Sequence, residues 1–257
     1  MAEGALSGCG VVVTRQMSGS SELCDALEAA GALALNFPTI EILRVYPAPQ
    51  VGAEHDWIIY TSAEAVAQDA ALRTRCGRIA AIGPATAAAL AREGVTAALV
   101  APGDGSESLL AALGPQLAVA ARVLLVTGRD GRTLLRDSLR MCGVELEEAA
   151  VYERTLPASD PRILEDLWRQ GGLHAVICSS NAALANLMRL LGTGPRGLAL
   201  LDAVQLVVAS ERAVRLAREL GIVRAPLVAN DASAPALVAA LARWWPTAAP
   251  NSPPRMN

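Results

Sequence analysis

The sequence has no lysine, so all 22 of its basic side chains are arginines. Lysine Schiff-base chemistry and the phosphate-gripping lysine of a P-loop are therefore excluded. Aromatic residues make up only 3% of the chain, too few for base-stacking platforms or aromatic cages. With a net charge of −3 there is no basic field to collect a polyanion, so no nucleic-acid partner is expected. An anionic ligand would have to be held by local arginines or backbone N–H groups. The two histidines, His55 and His174, both precede apolar runs and fall at the amino ends of the expected strands. Metal ligation and a Ser-His-Asp relay are accordingly not expected. The 5 cysteines (Cys9, Cys24, Cys76, Cys142 and Cys178) form no CxxC pair, which argues against a disulfide framework or zinc site and for a reducing cytoplasm. No apolar run reaches the ~18 residues needed to span a membrane. No basic segment followed by an apolar one opens the sequence, so neither export nor membrane association is expected.

What the chain does hold is aliphatic: hydrophobic residues make up 53% of its 257 positions, chiefly Ala, Val and Leu. That is length enough for one large or two small domains. The stretch from Val123 to Thr155 shows the organising unit. Val123–Val126 is a short apolar run without polar alternation, as in a parallel strand buried on both faces. Gly128 and Gly131 bracket a turn carrying Arg129, Asp130 and Arg132. An amphipathic helix follows, stopped by Gly143, and Val144–Val151 extends again with Tyr152 at its end.

The same unit opens the chain: Gly10–Arg15, a polar turn, a helix over Glu22–Ala30, Gly31, and an extended Ala32–Phe37. Thr14 matches Thr127, Arg15 matches Gly128 and Gly31 matches Gly143. Further on, Asp56–Ala63 pairs with His174–Asn181, Ile79–Thr86 with Val204–Arg212, and Leu99–Pro102 with Leu227–Asn230. A duplication of roughly 115 residues implies two similar doubly wound α/β domains rather than a solenoid. Pro38 and Pro157 follow the second strand of each copy, so Thr39–Pro49 and Tyr152–Pro161 read as crossings between domains. In one arrangement each domain combines the first βαβ of one copy with the last strands of the other. On that arrangement residues 1–37 with 156–245 form the first domain, 38–155 the second, and the proline-rich 246–257 a disordered tail.

Ligands of open α/β sheets gather at the carboxyl ends of the strands, and paired domains make clefts. The turns there are rich in Gly, Ser, Thr and Asn and lead into helix N-termini, whose free N–H groups suit carboxylates or phosphates. Candidate binding residues are Thr14 and Arg15 in the first turn and Thr61, Ser62 and Ala63 in the second. Gly83 follows in the third, Gly128, Arg129 and Arg132 in the fourth. Ser179, Ser180 and Asn181 come next, then Ser210 and Arg212. Of the 3 tyrosines, Tyr46 lies in a crossing and Tyr60 within a strand. Tyr152 ends a strand where its hydroxyl could reach a cleft. A phenol is protonated at neutral pH (pKa ~10) and can donate to a leaving hydroxyl.

The stretches VVVTR (Val11–Arg15), YTSAEAV (Tyr60–Val66), IGPATAAAL (Ile82–Leu90), LLVTGRDGRTLL (Leu124–Leu135), VYERT (Val151–Thr155), SSNA (Ser179–Ala182) and VASERAVRLARELG (Val208–Gly221) occur in that order. Together they resemble the uroporphyrinogen-III synthase family across roughly residues 10 to 245. The resemblance implies two flavodoxin-like parallel-sheet domains with interleaved halves, joined by a two-stranded connector. It implies closure of hydroxymethylbilane with inversion of ring D and loss of water, a hydro-lyase reaction. A heme-pathway enzyme of this kind is expected as a cytoplasmic monomer, with no metal or organic cofactor, and is compatible with transient contact with the upstream deaminase. Tyr152 is the residue the resemblance favours for assisting departure of the hydroxyl, with Thr86 a secondary candidate. Many relatives carry a threonine after the SER triplet where this chain has Ala213, which leaves Ser210 or Arg212 in its place. A non-catalytic tetrapyrrole- or anion-binding module is the alternative reading.

Overall fold

The computed structural model describes residues 4–52, 54–103, 105–129, 131, 133–192 and 194–248. The chain splits into two compact units, one of Met1–Glu41 with Thr155–Asn257, the other of Ile42–Arg154.

The first unit is built on β1 (Gly10–Val13), α1 (Met17–Ala29) and β2 (Leu33–Asn36). The second contains β3 (Glu41–Arg44, its first residue in the first unit), β4 (Glu54–Tyr60), α2 (Ala63–Gln68), β5 (Cys76–Ala81), α3 (Pro84–Arg92), β6 (Leu99–Val100), α4 (Ser106–Leu113), β7 (Arg122–Gly128), α5 (Thr133–Met141) and β8 (Glu145–Thr155, its last residue in the first unit). The chain then completes the first unit with α6 (Arg162–Arg169), β9 (Ala175–Cys178), α7 (Asn181–Leu191), α8 (Pro195–Ala203), β10 (Gln205–Val208), α9 (Glu211–Glu219), β11 (Leu227–Val228) and α10 (Ala234–Ala248).

The sheet of the first unit has the order β11-β10-β9-β1-β2, and every pair in it is parallel. The sheet of the second has the order β3-β8-β7-β4-β5-β6, parallel from β8 to β6. Setting β3 aside, both are the doubly wound order in which the strand sequence reverses beside the first strand. Each combines the opening βαβ of one copy of the repeat with the remaining strands of the other. This is the two-domain α/β fold with interleaved halves.

Burial follows from that order. In the first unit Val12, Val176 and Val208 face α6–α9, whereas Val11, Ile177 and Val207 face α1 and α10. In the second, Ile58, Leu124 and Val126 pack under α2 and α3, while Trp57, Ile59, Val123 and Leu125 pack under α4 and α5. Each fully buried aliphatic side chain is worth about 1.5–3 kcal/mol. The glycine that stops α1 and its repeat equivalent after α5 both turn left-handed, Gly31 at φ 94° and Gly143 at φ 74°.

Three details depart from expectation. β8 runs to Thr155 rather than stopping before Tyr152, because β3 lies along its far end and Val45 N–H donates to Val151 O at 3.0 Å. The copies also differ internally: α8 occupies the place where the first copy has only a 3-10 turn at Leu72–Thr74. Finally, the segment from Pro246, expected to be disordered, continues α10 to Ala248; residues 249–257 lie outside the described residues. Trp244 and Trp245 pack against the α1/α10 core and Trp245 Nε1 donates to Ser7 O at 3.0 Å, which holds the last turns down. Among the described residues no helix is long and apolar enough to cross a membrane.

Candidate functional site

In each unit a cavity opens where the strand order reverses, at the carboxyl ends of the two central strands. In the second unit those strands are β7 and β4, and the cavity, about 370 Å³, is lined among others by Thr61, Ser62, Thr127, Tyr152, Arg136 and Arg154. In the first they are β1 and β9, and the cavity, about 330 Å³, is lined by Thr14, Arg15, Gln16, Ile40, Ser179, Ser180 and Ala183. The same threonine device closes both strand pairs. Thr14 Oγ1 donates to Ile177 O at 2.8 Å, and Thr61 Oγ1 to Val126 O at 3.2 Å. Ser62 caps α2 by accepting from Ala65 N–H at 3.0 Å, and Ser180 caps α7 by accepting from Ala183 N–H at 3.1 Å.

The units diverge at the matched positions Arg15 and Gly128. In the first, Arg15 reaches across: its Nε donates to Ser179 Oγ at 3.2 Å and its Nη2 to Ala232 O. In the second, the equivalent residue is Gly128, and the absent side chain makes room for Tyr152. A register shift between Thr127 and Gly128 brings Tyr152 opposite Gly128. The ring then lies over the glycine so closely that a Cβ there would sit 2.7 Å from Tyr152 Cζ. From β8 the tyrosine thus reaches over β7 to the end of β4. There its hydroxyl meets Ser62 Oγ at 3.2 Å and accepts from Arg154 Nη2 at 3.0 Å. Tyr152 is 2% exposed and lines the cavity.

The remaining expected residues fall into groups. Ala63 and Asn181 are the first residues of α2 and α7. Gly83 is the N-cap of α3, on which Thr86 is buried at 3% exposure; neither lines the cavity. Arg129 turns outward and pairs with Glu153 at 2.7 Å, its side chain 54% exposed. Ser210 caps α9 by accepting from Ala213 N–H at 3.3 Å, with exposed Arg212 beside it, and neither lines either cavity. Arg132 lies outside the described residues.

Two cavity arginines were missed. Arg154 stands two residues from Tyr152 on β8, the strand period that places side chains on one face, and that spacing was there to be read. Arg136 lines the cavity from α5 and shares Glu148 with Arg140, at 2.7 and 3.0 Å. Among the described residues no group of three or more His, Cys, Asp or Glu side chains could hold a metal. Cys9 and Cys178 are not nucleophiles: burial pushes both thiols up to about 12.

The family model described as "Uroporphyrinogen-III synthase HemD" matches residues 21–239. The chain belongs to the uroporphyrinogen-III synthase family. It is 31% identical over 225 residues to the uroporphyrinogen-III synthase of Salmonella typhimurium, covering 82% of this chain and 91% of that one. To the synthase of Synechococcus elongatus it is 31% identical over 211 residues, covering 75% and 78%. The uroporphyrinogen-III synthetase of Helicobacter pylori superposes with a TM-score of 0.59 at 14% identity, over 90% of this chain and 97% of that one. A mutant uroporphyrinogen III synthase from Thermus thermophilus gives 0.53 at 19% identity, over 94% and 99%. These two likenesses show that the fold of this synthase-family chain is that of the solved synthases.

Proposed function

We propose that this protein is a uroporphyrinogen-III synthase, a hydro-lyase that closes hydroxymethylbilane with loss of water and inversion of ring D. One observation carries the mechanistic reading. The Tyr152 hydroxyl stands at the rim of the second unit's central strands with Ser62 and Arg154 as its partners. In this reading the electron-rich pyrrole expels the terminal hydroxyl while Tyr152 supplies a proton, so that the leaving group departs as water. The azafulvene so formed attacks the ring D end, and closure passes through a spiro intermediate.

Little other acid–base machinery is needed, because the open bilane can cyclise unaided to the uninverted isomer. The protein's task is to hold the chain in the geometry that favours the inverted one. Carboxylates of the substrate suit the capped helix N-terminus behind Ser62 and the Arg136 guanidinium in the second unit's cavity, and the first unit's cavity offers the like pair of the Ser180 cap and Arg15. Thr61 is proposed to line the bilane in the second unit's cavity, with Gly128 admitting the tyrosine, and Thr14 and Ser179 are proposed as anion contacts within the first unit's cavity. The work is assigned to a monomer in the cytoplasm, a compartment suited to the free thiols, with transient delivery of the unstable bilane by the upstream deaminase. The alternative of a non-catalytic binding module finds no support in the relatives, which carry the synthase name.

The test is to supply freshly made hydroxymethylbilane to the purified protein, oxidise the products and separate the type I and type III isomers. Type III in excess over a protein-free control is the expected result. Type I alone, from folded protein and intact substrate, would reduce the cavity to a binding site.

A further inference from the structure

Resting on the synthase reading, we propose that Arg154 is a positioning residue that aims the Tyr152 proton at the substrate. A tyrosine hydroxyl has one proton to give and lone pairs to accept with, whereas a guanidinium only donates. Arg154 Nη2, at 3.0 Å, therefore occupies an acceptor site on Tyr152 Oη and cannot take the phenolic proton. That proton has two remaining destinations: Ser62 Oγ at 3.2 Å, or the cavity.

Ser62 Oγ already accepts from Ala65 N–H as the cap of α2, and it has a proton of its own. When Ser62 donates, Tyr152 Oη accepts twice and its proton is left pointing at whatever fills the cavity. A bound substrate hydroxyl, itself an acceptor, selects that arrangement. Once the proton has moved, the tyrosine oxygen carries negative charge, and the guanidinium already hydrogen-bonded to it is the group that stabilises that charge. The Arg154 carbon Cζ also lies 5.1 Å from the centre of the Tyr152 ring, so the same side chain restrains the ring itself.

The balance of the step is simple. The O–H bond of Tyr152 breaks, an O–H bond to the leaving hydroxyl forms, and the C–O bond of the bilane breaks to release water. Arg154 exchanges no proton.

A double-mutant cycle tests this. Arg154→Met keeps the stem and removes the donors; Arg154→Lys restores one donor and the charge; each is made alone and with Tyr152→Phe. Type III formation is read as kcat and KM, with thermal melts to confirm folding. Arg154→Met is expected to lower kcat on the order of tenfold with KM nearly unchanged, the loss of one charge-assisted hydrogen bond. Arg154→Lys should recover most of it, and Arg154→Met should cost nothing further once Tyr152→Phe is in place. A raised KM at unchanged kcat, or losses that multiply in the double variant, would make Arg154 a carboxylate clamp and overturn the proposal. Wild-type protein that yields no type III isomer would instead sink the synthase reading, and this inference with it.

Discussion

Replacing Gly128 by alanine tests the geometry of the site with a single carbon. The new Cβ would lie 2.7 Å from Tyr152 Cζ, 2.8 Å from Cε2 and 3.1 Å from Oη. Carbon contacts settle at about 3.5–4.0 Å, so the ring must lift by roughly 1 Å. Its hydroxyl bonds, now 3.2 Å to Ser62 and 3.0 Å to Arg154, would then pass the ~3.5 Å limit. A misplacement of about 1 Å at a reacting group can cost on the order of 100-fold. Gly128 is not among the described glycines of positive φ, so backbone strain adds nothing to that. Overpacking should cost about 1–3 kcal/mol, partly offset by the ~0.4–1 kcal/mol that alanine gains from its stiffer unfolded chain. The expected result for Gly128→Ala is a folded, slightly destabilised protein whose kcat for type III falls roughly 100-fold. A kcat within a factor of two of wild type would show that the tyrosine position does not govern the reaction.

Two further perturbations probe the frame behind the site. Asp69, at the end of α2, accepts from Tyr60 at 2.8 Å and from Arg75 Nη2 at 2.9 Å, with both ion-pair side chains under 10% exposed (7% and 2%). Burial, reinforced by the Asp69 carboxylate, pushes the Tyr60 phenol far above its ordinary range. Asp69→Asn leaves the Arg75 charge buried and uncompensated, so urea unfolding should show a loss of about 3–5 kcal/mol, and a loss below ~1 kcal/mol would contradict the burial. At the other unit, His174 Nδ1 accepts from Gly10 N–H at 2.9 Å, and desolvation lowers the imidazole pKa. A neutral ring is what the fold holds, so stability is full above the unfolded value near ~6.5 and is lost as pH falls through the lowered folded value. His174→Gln should flatten that acid slope in melts between about pH 7 and 5; an unchanged slope would place the titration elsewhere.

What could be read in the sequence was whatever local pattern dictates. The duplicated strand–turn–helix unit, the Ser62 and Ser180 caps and the glycine stops are each set by neighbours a few residues away; the interleaving of the sheets was only one arrangement the aligned copies allowed, and it came from the family resemblance. Tyr152 was legible by scarcity. The partners of the turns were not, because they depend on which strands lie side by side. Arg129 looks like Arg15 along the chain, yet it answers Glu153 on the adjacent strand, while Arg15 crosses to Ser179. Likewise Gly128 reads as a turn glycine, and only the register of β7 on β8 shows that its role is to lie beneath a ring. Pro246 suggested an end to order, but by then the helix had its tryptophan anchors.

The interleaving also sets an order of events at the ribosome. Residues Ile42–Arg154 form their unit from continuous chain, so that half can close as soon as it has emerged. β1 cannot do likewise: it pairs with β2 at once, but its other edge waits for β9, beginning at Ala175. At ~5–20 residues per second that exposed edge persists on the order of ten seconds. The middle of the chain is thus finished while its beginning is still incomplete, and the nascent βαβ of β1, α1 and β2 is the species that synthesis must shield from aggregation.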